Sequence, residues 1–287
     1  MAIKKLLFVD TNIWLDFYRA RTEAGLALLR HLESNSDKII VSYQVEAEFK
    51  KNRQMAILEG MRELKSPQQI VWPGMFSDAQ ATRMLQKNVK EVEKRVKDMK
   101  KKLGRVLSDP AQNDVVYQAC QRIFHRESAL VLTRDDPRRK RIRNRALRRF
   151  LHGCPPRKKN DTSLGDVINW EWMVECAITA NAELTIVSRD SDYGVVYEDT
   201  AYINDHLRHE FSDRVSKKRK LILYAKLSEA LRHFKVPVTN EEAKEEDSLV
   251  ASDTNKKPIR RESTNSWVKL LNEIIVGAKR GVEDDDG

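Results

Sequence analysis

Four acids in this chain stand where layered α/β proteins carry out their chemistry. The apolar run Leu6 to Val9 stops abruptly at Asp10, and Thr11 and Asn12 follow before Ile13-Trp14-Leu15 resumes. Ile186-Val187-Ser188 stops in a similar way at Arg189-Asp190, with Asp192 two residues on. Each reads as a short buried strand whose end carries a carboxylate, and in open α/β sheets ligands sit beyond the carboxyl ends of the strands. Glu48 falls one turn into a helix that begins just after a strand ending at Ser42, and Asp166 opens the helix that precedes the Leu184 strand. Helices leaving or reaching strand ends pass over that same edge, so all four carboxylates can converge there.

Singly, each acid has a plainer reading. Asp166 follows Ser163 at capping-box spacing, Asp190 and Asp192 suit a turn before Gly194, and Glu48 beside Lys50 and Lys51 suits a solvated helix face. Together they point to a shared site. Clustered carboxylates push one another's pKa upward unless something neutralises them. The natural neutraliser is a hard cation with oxygen ligands, Mg²⁺ or Mn²⁺. Two such ions about 3.5–4 Å apart can activate a water and stabilise the leaving oxygen of a phosphodiester. The six histidines are scattered, and Cys120, Cys154 and Cys176 form no CxxC pair, so no zinc-type ligand set competes.

The elements that must position these acids alternate between strand and helix. A helix spans Thr22 to Leu32 with a stripe at Leu28, Leu29 and Leu32; a strand covers Lys38 to Ser42; a helix follows from Tyr43 to about Glu63. The pattern returns with a helix through Val167, Trp170 and Met173, a strand from Glu183 to Ser188, a helix from Ile203 to Phe211, a strand from Lys220 to Tyr224 and a helix from Ser228 to Phe234. Strands alternating with helices predict a three-layer α/β fold with a central, mainly parallel sheet.

Between the halves the composition changes. Leu85, Val89, Val92, Val96, Met99, Leu103 and Val106 step by fours and threes, a heptad seam on a helix crowded with lysine. Ser108-Asp109-Pro110 stops and restarts the chain, and Val115, Val116, Ala119, Cys120 and Ile123 are placed to return against the seam. Residues 75–127 thus read as an inserted antiparallel helical hairpin. Nine of the sixteen residues from Arg134 to Arg149 are basic, against two acids, which is more than solubility requires. The resulting division is a catalytic domain over 1–72 and 160–236, a basic helical insertion over 73–159, a charged flexible linker over 237–265, and a C-terminal segment over 266–287. In the last, Trp267, Leu270, Leu271, Ile274 and Ile275 form an amphipathic stretch suited to docking on a protein partner, ahead of an acidic tail.

With 40% apolar residues, 33% charged residues and a mean hydropathy of −0.61, the 287 residues read as a soluble protein with a sizeable core. No run reaches the length of a membrane span, and the N-terminal apolar stretch is too short for a secretory signal. Three unpaired cysteines suit the cytoplasm. The formal net charge of +10 favours a polyanion. Lys87, Lys90, Lys94, Lys97 and Lys101 share one helix, and Arg138, Arg139, Lys140, Arg141, Arg143, Arg145, Arg148 and Arg149 follow in the basic run. Such a surface can neutralise backbone phosphates and gives affinity without sequence information.

Four blocks carry a family resemblance: Phe8-Val9-Asp10-Thr11-Asn12; Ser42 to Phe49, including Glu48; Gly165-Asp166-Val167-Ile168-Asn169-Trp170; and Ile186 to Tyr193. In this order they resemble the PIN domain nucleases, over roughly residues 1–60 and 160–235. The resemblance implies a PIN-like fold and metal-dependent hydrolysis of RNA, or less often DNA, by in-line attack leaving a 5′-phosphate. It implies that Asp10, Glu48, Asp166 and Asp190 bind the metal, that Asn12 and Ser188 orient the site, and that Asp192 and Asp161 contribute further oxygens. The long helical insertion resembles the larger bacterial PIN-like proteins, and a toxin or antiviral role belongs to the same analogy. Two other readings compete. A phosphatase with Asp10 as nucleophile would want a second Asp where Asn12 stands. A protein that binds nucleic acid without cutting it would not need all four acids.

Overall fold

Why does the chain fold into layers? Its strands are apolar on both faces, so each must be covered twice. The computed structural model describes residues 3–61, 73–77, 79–156 and 163–254. Strand β1 (Lys5–Val9) leads into the short helix α1 (Thr11–Asp16) and then α2 (Glu23–Ser34); β2 (Ile39–Ser42) runs straight into α3 (Tyr43–Met61). The long α4 (Gln80–Ser108), the single turn α5 (Pro110–Asn113) and α6 (Val115–Phe124) precede β3 (Val131–Leu132) and the basic α7 (Arg139–Leu151). Helix α8 (Gly165–Ala180) and β4 (Glu183–Val187) are followed by a hairpin of β5 (Gly194–Tyr197) and β6 (Thr200–Ile203). Then come α9 (Asp205–Arg214), β7 (Leu221–Tyr224), α10 (Leu227–His233) and α11 (Asn240–Thr254).

The main sheet has the order β3-β2-β1-β4-β7, with every pairing parallel. β1 is central: Phe8 pairs with Ile40 on one side and Ile186 on the other. All five carboxyl ends therefore open on one edge. Trp14, Phe49 and Phe124 pack edge-on beneath one layer, while Trp170 and Trp172 of α8 are fully buried in the other. The α/β fold with a central parallel sheet is the one expected.

Three features differ from expectation. Helix α6 does not return along the α4 seam. It packs on α2, and Val116, Ala119, Cys120, Ile123 and Phe124 join the main core. Leu85, Val92 and Met99 of the seam stay 45–49% exposed, while Val96 is buried. The junction is fixed by a buried ion pair, Arg53 Nη2 to Asp114 Oδ2 at 2.7 Å, with Tyr18 donating to the same oxygen at 2.8 Å. Second, β3 adds an edge strand to the sheet, so the chain between the two halves of the fold builds part of the core. Third, residues 240–254 form α11 where a flexible linker was expected. This helix docks through carboxylates instead of apolar side chains: Glu245 accepts from the Arg21 and Thr22 amides, and Glu246 from those of Leu227 and Ser228.

Residues 250–287 separate as a second unit, of which only the end of α11 is described. Asp161, the Trp267 to Ile275 stretch and the acidic tail lie outside the described residues. Among the described residues, no helix is long and apolar enough to cross a membrane.

Candidate active site

The site grows from the end of β1. Because Val9 pairs with Val187, the chain leaves both strands side by side, and the Asp10 amide donates to Val187 O at 2.9 Å. Asp10 then caps α1. Its Oδ1 accepts from the Thr11 amide at 2.7 Å, and its Oδ2 accepts from Asn12 Nδ2 at 3.1 Å and Ser188 Oγ at 2.5 Å. Ser188 Oγ in turn accepts from the Asp190 amide at 3.0 Å. One hydroxyl therefore ties the Asp10 carboxylate to the turn that carries Asp190.

Glu48 arrives from α3. Thr11 Oγ1 donates to its Oε2 at 3.0 Å and Gln44 Nε2 to its Oε1 at 3.1 Å. Its approach to α8 depends on a glycine: a Cβ on Gly165 would lie 2.4 Å from Glu48 Oε1. Asp166 is the next residue. The ends of α3 and α8 are held together by Ser42, whose Oγ donates to Asn169 Oδ1 at 2.5 Å while accepting from the Gln44 amide at 3.1 Å. Three helix N-termini thus meet at the sheet's carboxyl edge, where their partial positive charge favours carboxylates.

That favour is incomplete. Asp10 is 3% exposed, and its pKa is pushed up to about 6, chiefly by burial and then by the neighbouring charges of Asp190 and Glu48. The hydrogen bonds from Ser188 and Thr11 pull the other way. Beneath the acids lies Tyr193, fully buried, its hydroxyl without a hydrogen-bond partner among the described residues. Burial raises this phenol's pKa well above its ordinary value, and Asp166, Asp10, Glu48 and Asp190 all raise it further.

Among the described residues, no three Asp, Glu, His or Cys side chains are gathered closely enough to hold an ion as they stand. Asp10 and Glu48 instead hold donors from their own chain. Asp192 is buried in the turn after β4. The donor set still suits a hard cation, being carboxylate oxygens with serine, threonine and asparagine behind them. Asn12 Oδ1, also buried, has no partner among the described residues. Thr11, Gln44, Gly165 and Tyr193 were assigned no role from sequence; their parts follow from contacts between elements that spacing along the chain does not display.

The basic run divides by function. Arg141 and Arg145 both grip Glu175, and Arg149 is buried against Glu210, donating at 2.6 Å. Arg138 is held by Asp136 at 2.7 Å and lies 4.7 Å over the Trp172 ring. These four pair with acids of the same chain, and of them only Arg149 is buried; Arg141 and Arg145 remain exposed. Arg139 lies 5.2 Å over the Tyr43 ring. Lys140, Arg143 and Arg148 are exposed and make no ion pair among the described residues.

The pattern that defines the PIN domain matches residues 7–193, from β1 through the Asp190 turn to Tyr193. The chain belongs to the PIN domain family. Its activity class is therefore that of a nuclease, a class that generally depends on divalent metal ions and binds nucleic acid. No curated protein and no solved structure matches the chain.

Proposed function

We propose that this protein is an Mg²⁺- or Mn²⁺-dependent endonuclease that hydrolyses phosphodiester bonds in RNA, with Asp10, Glu48, Asp166 and Asp190 as its metal-binding acids. The observation that carries the reading is the placement of these acids at one carboxyl edge: Ser188 ties the Asp10 carboxylate to the turn that carries Asp190, and Glu48, bonded by Thr11, comes so close to Gly165 at the start of α8 that a Cβ there would lie 2.4 Å from its Oε1, next to Asp166. Asp10, Glu48, Asp166 and Asp190 would hold the cation, which would neutralise the carboxylates and lower the pKa of a water so that it could lose a proton and become the nucleophile. Asp192 is a further ligand in this reading. The chain's own groups do the positioning. Ser188 and Asn12 hold the Asp10 carboxylate in one orientation, and Thr11 and Gln44 hold that of Glu48. The positive charge of the chain supports a polyanionic substrate. A toxin or antiviral role is the physiological reading, by family analogy.

The test is incubation of the purified protein with labelled single-stranded RNA, single-stranded DNA and duplex, in Mn²⁺ or EDTA, beside Asp10→Asn. The reading expects cleavage of single-stranded RNA that is abolished by EDTA and by the substitution. Cleavage surviving both would overturn the metal mechanism, and binding without cleavage under every condition would make the protein a non-catalytic binder.

A further inference from the structure

β3 pairs with β2 through Val41–Val131 and Ser42–Leu132, so the chain after Leu132 emerges at the same carboxyl edge as the acids. A groove of about 310 Å³ opens there, lined among others by Tyr43, Glu46, His125, Thr133 and Arg134. It lies between one and two strand spacings from β1, about 5–10 Å from the end of the strand that carries Asp10. Its volume is at the lower end of the range that holds a small ligand, about 300–1,000 Å³.

The lining is suited to a nucleotide. Arg139 stacks over one face of Tyr43 and donates from Nη1 to Arg134 O at 2.8 Å, which fixes the loop that presents the exposed Arg134 side chain. His125 Nε2 lies 2.8 Å from Glu46 Oε1, and Lys50 Nζ lies 2.5 Å from the same oxygen. Of the two carboxylates that line the groove, Glu46 is thus met by two basic groups, and Asp135 adjoins Arg134 in the loop after β3, so neither stands apart from a positive charge. On α7, Arg141 and Arg145 pair with Glu175, while Lys140, Arg143 and Arg148 stay exposed and can meet backbone phosphates away from the acids. Arg134 and Arg139 are the basic groups of that run that stand at the catalytic edge.

We propose that this groove is the subsite for a nucleotide flanking the scissile phosphate of a single-stranded RNA, with Arg134 meeting its phosphate and Tyr43 and His125 its base. The inference rests on the nuclease reading and names where the strand lies beside the acids. A groove of this size takes one nucleotide of a single strand, and a duplex would not enter it.

The experiment measures binding of a fluorescent single-stranded RNA to the full chain carrying Asp10→Asn, so that binding is read without cleavage. Arg134→Ala and His125→Ala are then added singly and together. Arg232→Ala, exposed on α10, is the charge-matched control. Arg134→Ala is expected to weaken binding several-fold and to lower the slope of log affinity against log salt by about one. His125→Ala is expected to weaken it with the slope unchanged, and Arg232→Ala to leave it near the reference. In the cleaving protein the Arg134 and His125 variants should raise KM with kcat preserved. Equal losses in Arg134→Ala and Arg232→Ala, no loss in either groove variant, or no measurable RNA binding would each overturn the proposal. Failure of the nuclease reading shows separately, as absence of Mn²⁺-dependent cleavage by the unsubstituted protein.

Discussion

Replacing Asp10 with asparagine should make the metal-free protein more stable, although it removes the group placed at the centre of the site. The carboxylate is buried at 3% exposure and its pKa is pushed up to about 6. Against an ordinary aspartate value of about 3.9, keeping it ionised in the folded state costs about 3 kcal/mol at pH 8. Asparagine preserves the shape and the acceptor for the Thr11 amide, but its Nδ2 faces the donors Asn12 Nδ2 and Ser188 Oγ. Rotating the Asn12 amide, whose Oδ1 is buried without a partner among the described residues, relieves part of that conflict. Allowing about 1 kcal/mol for the weaker hydrogen bonds, the net gain is about 2 kcal/mol, or a Tm rise of about 4–8 °C.

The dependence on pH gives the sign. A raised acid pKa means that the folded state holds its proton more tightly, so the native protein gains stability as pH falls and loses it as pH rises through about 6. The advantage of the variant should therefore be about 2 kcal/mol at pH 8, fall to about 0.5 kcal/mol at pH 5 and be slightly reversed at pH 4, where only the weaker hydrogen bonds remain. Thermal unfolding in EDTA at these three pH values reads it directly. A variant no more stable than the parent at pH 8, or equally advantaged at every pH, would refute the argument from crowding and burial.

Three further outcomes follow from other contacts. Gly165→Ala places a methyl group 2.4 Å from Glu48 Oε1, so it should displace Glu48 and lower kcat well before it unfolds the protein; full activity at unchanged Tm would show that the close approach is not needed. Arg53→Ala leaves Asp114 buried without its cation and should cost about 3–5 kcal/mol by denaturant unfolding, since this pair pins the start of α6 against α3. Glu246→Ala removes the acceptor for the Leu227 and Ser228 amides, and faster hydrogen exchange confined to α10 and α11 is the expected reading.

The acids at strand ends were legible because the signal is local: an apolar run interrupted by Asp10 or Asp190 marks both the strand and its mouth. Glu48 and Asp166 were legible because each lies within a turn of a predicted helix start. The partner of α6 was not legible. Val116, Cys120 and Ile123 show the same periodicity whether they face the α4 seam or the main core, and the Arg53–Asp114 pair that decides between them joins residues far apart in sequence. β3 has only two paired residues, too few to show any period. The arginines of α7 look alike in sequence; what distinguishes Arg149 from Arg148 is Glu210, about sixty residues on. Helix α11 escaped because its docking groups are glutamates, which hydropathy counts as solvent-facing, when here they bind backbone amides.

The central claim is that Asp10, Glu48, Asp166 and Asp190 together hold a divalent cation. Calorimetric titration of Mn²⁺ into the unsubstituted protein, Asp10→Asn and Asp190→Asn tests it without relying on a substrate. At pH 6, where Asp10 is about half protonated in the free protein, binding should release about half a proton, seen as a dependence of the heat on the buffer. The account predicts saturable binding with that release, lost or greatly weakened in both variants. Binding that persists unchanged in both, or that releases no proton at pH 6, would contradict it.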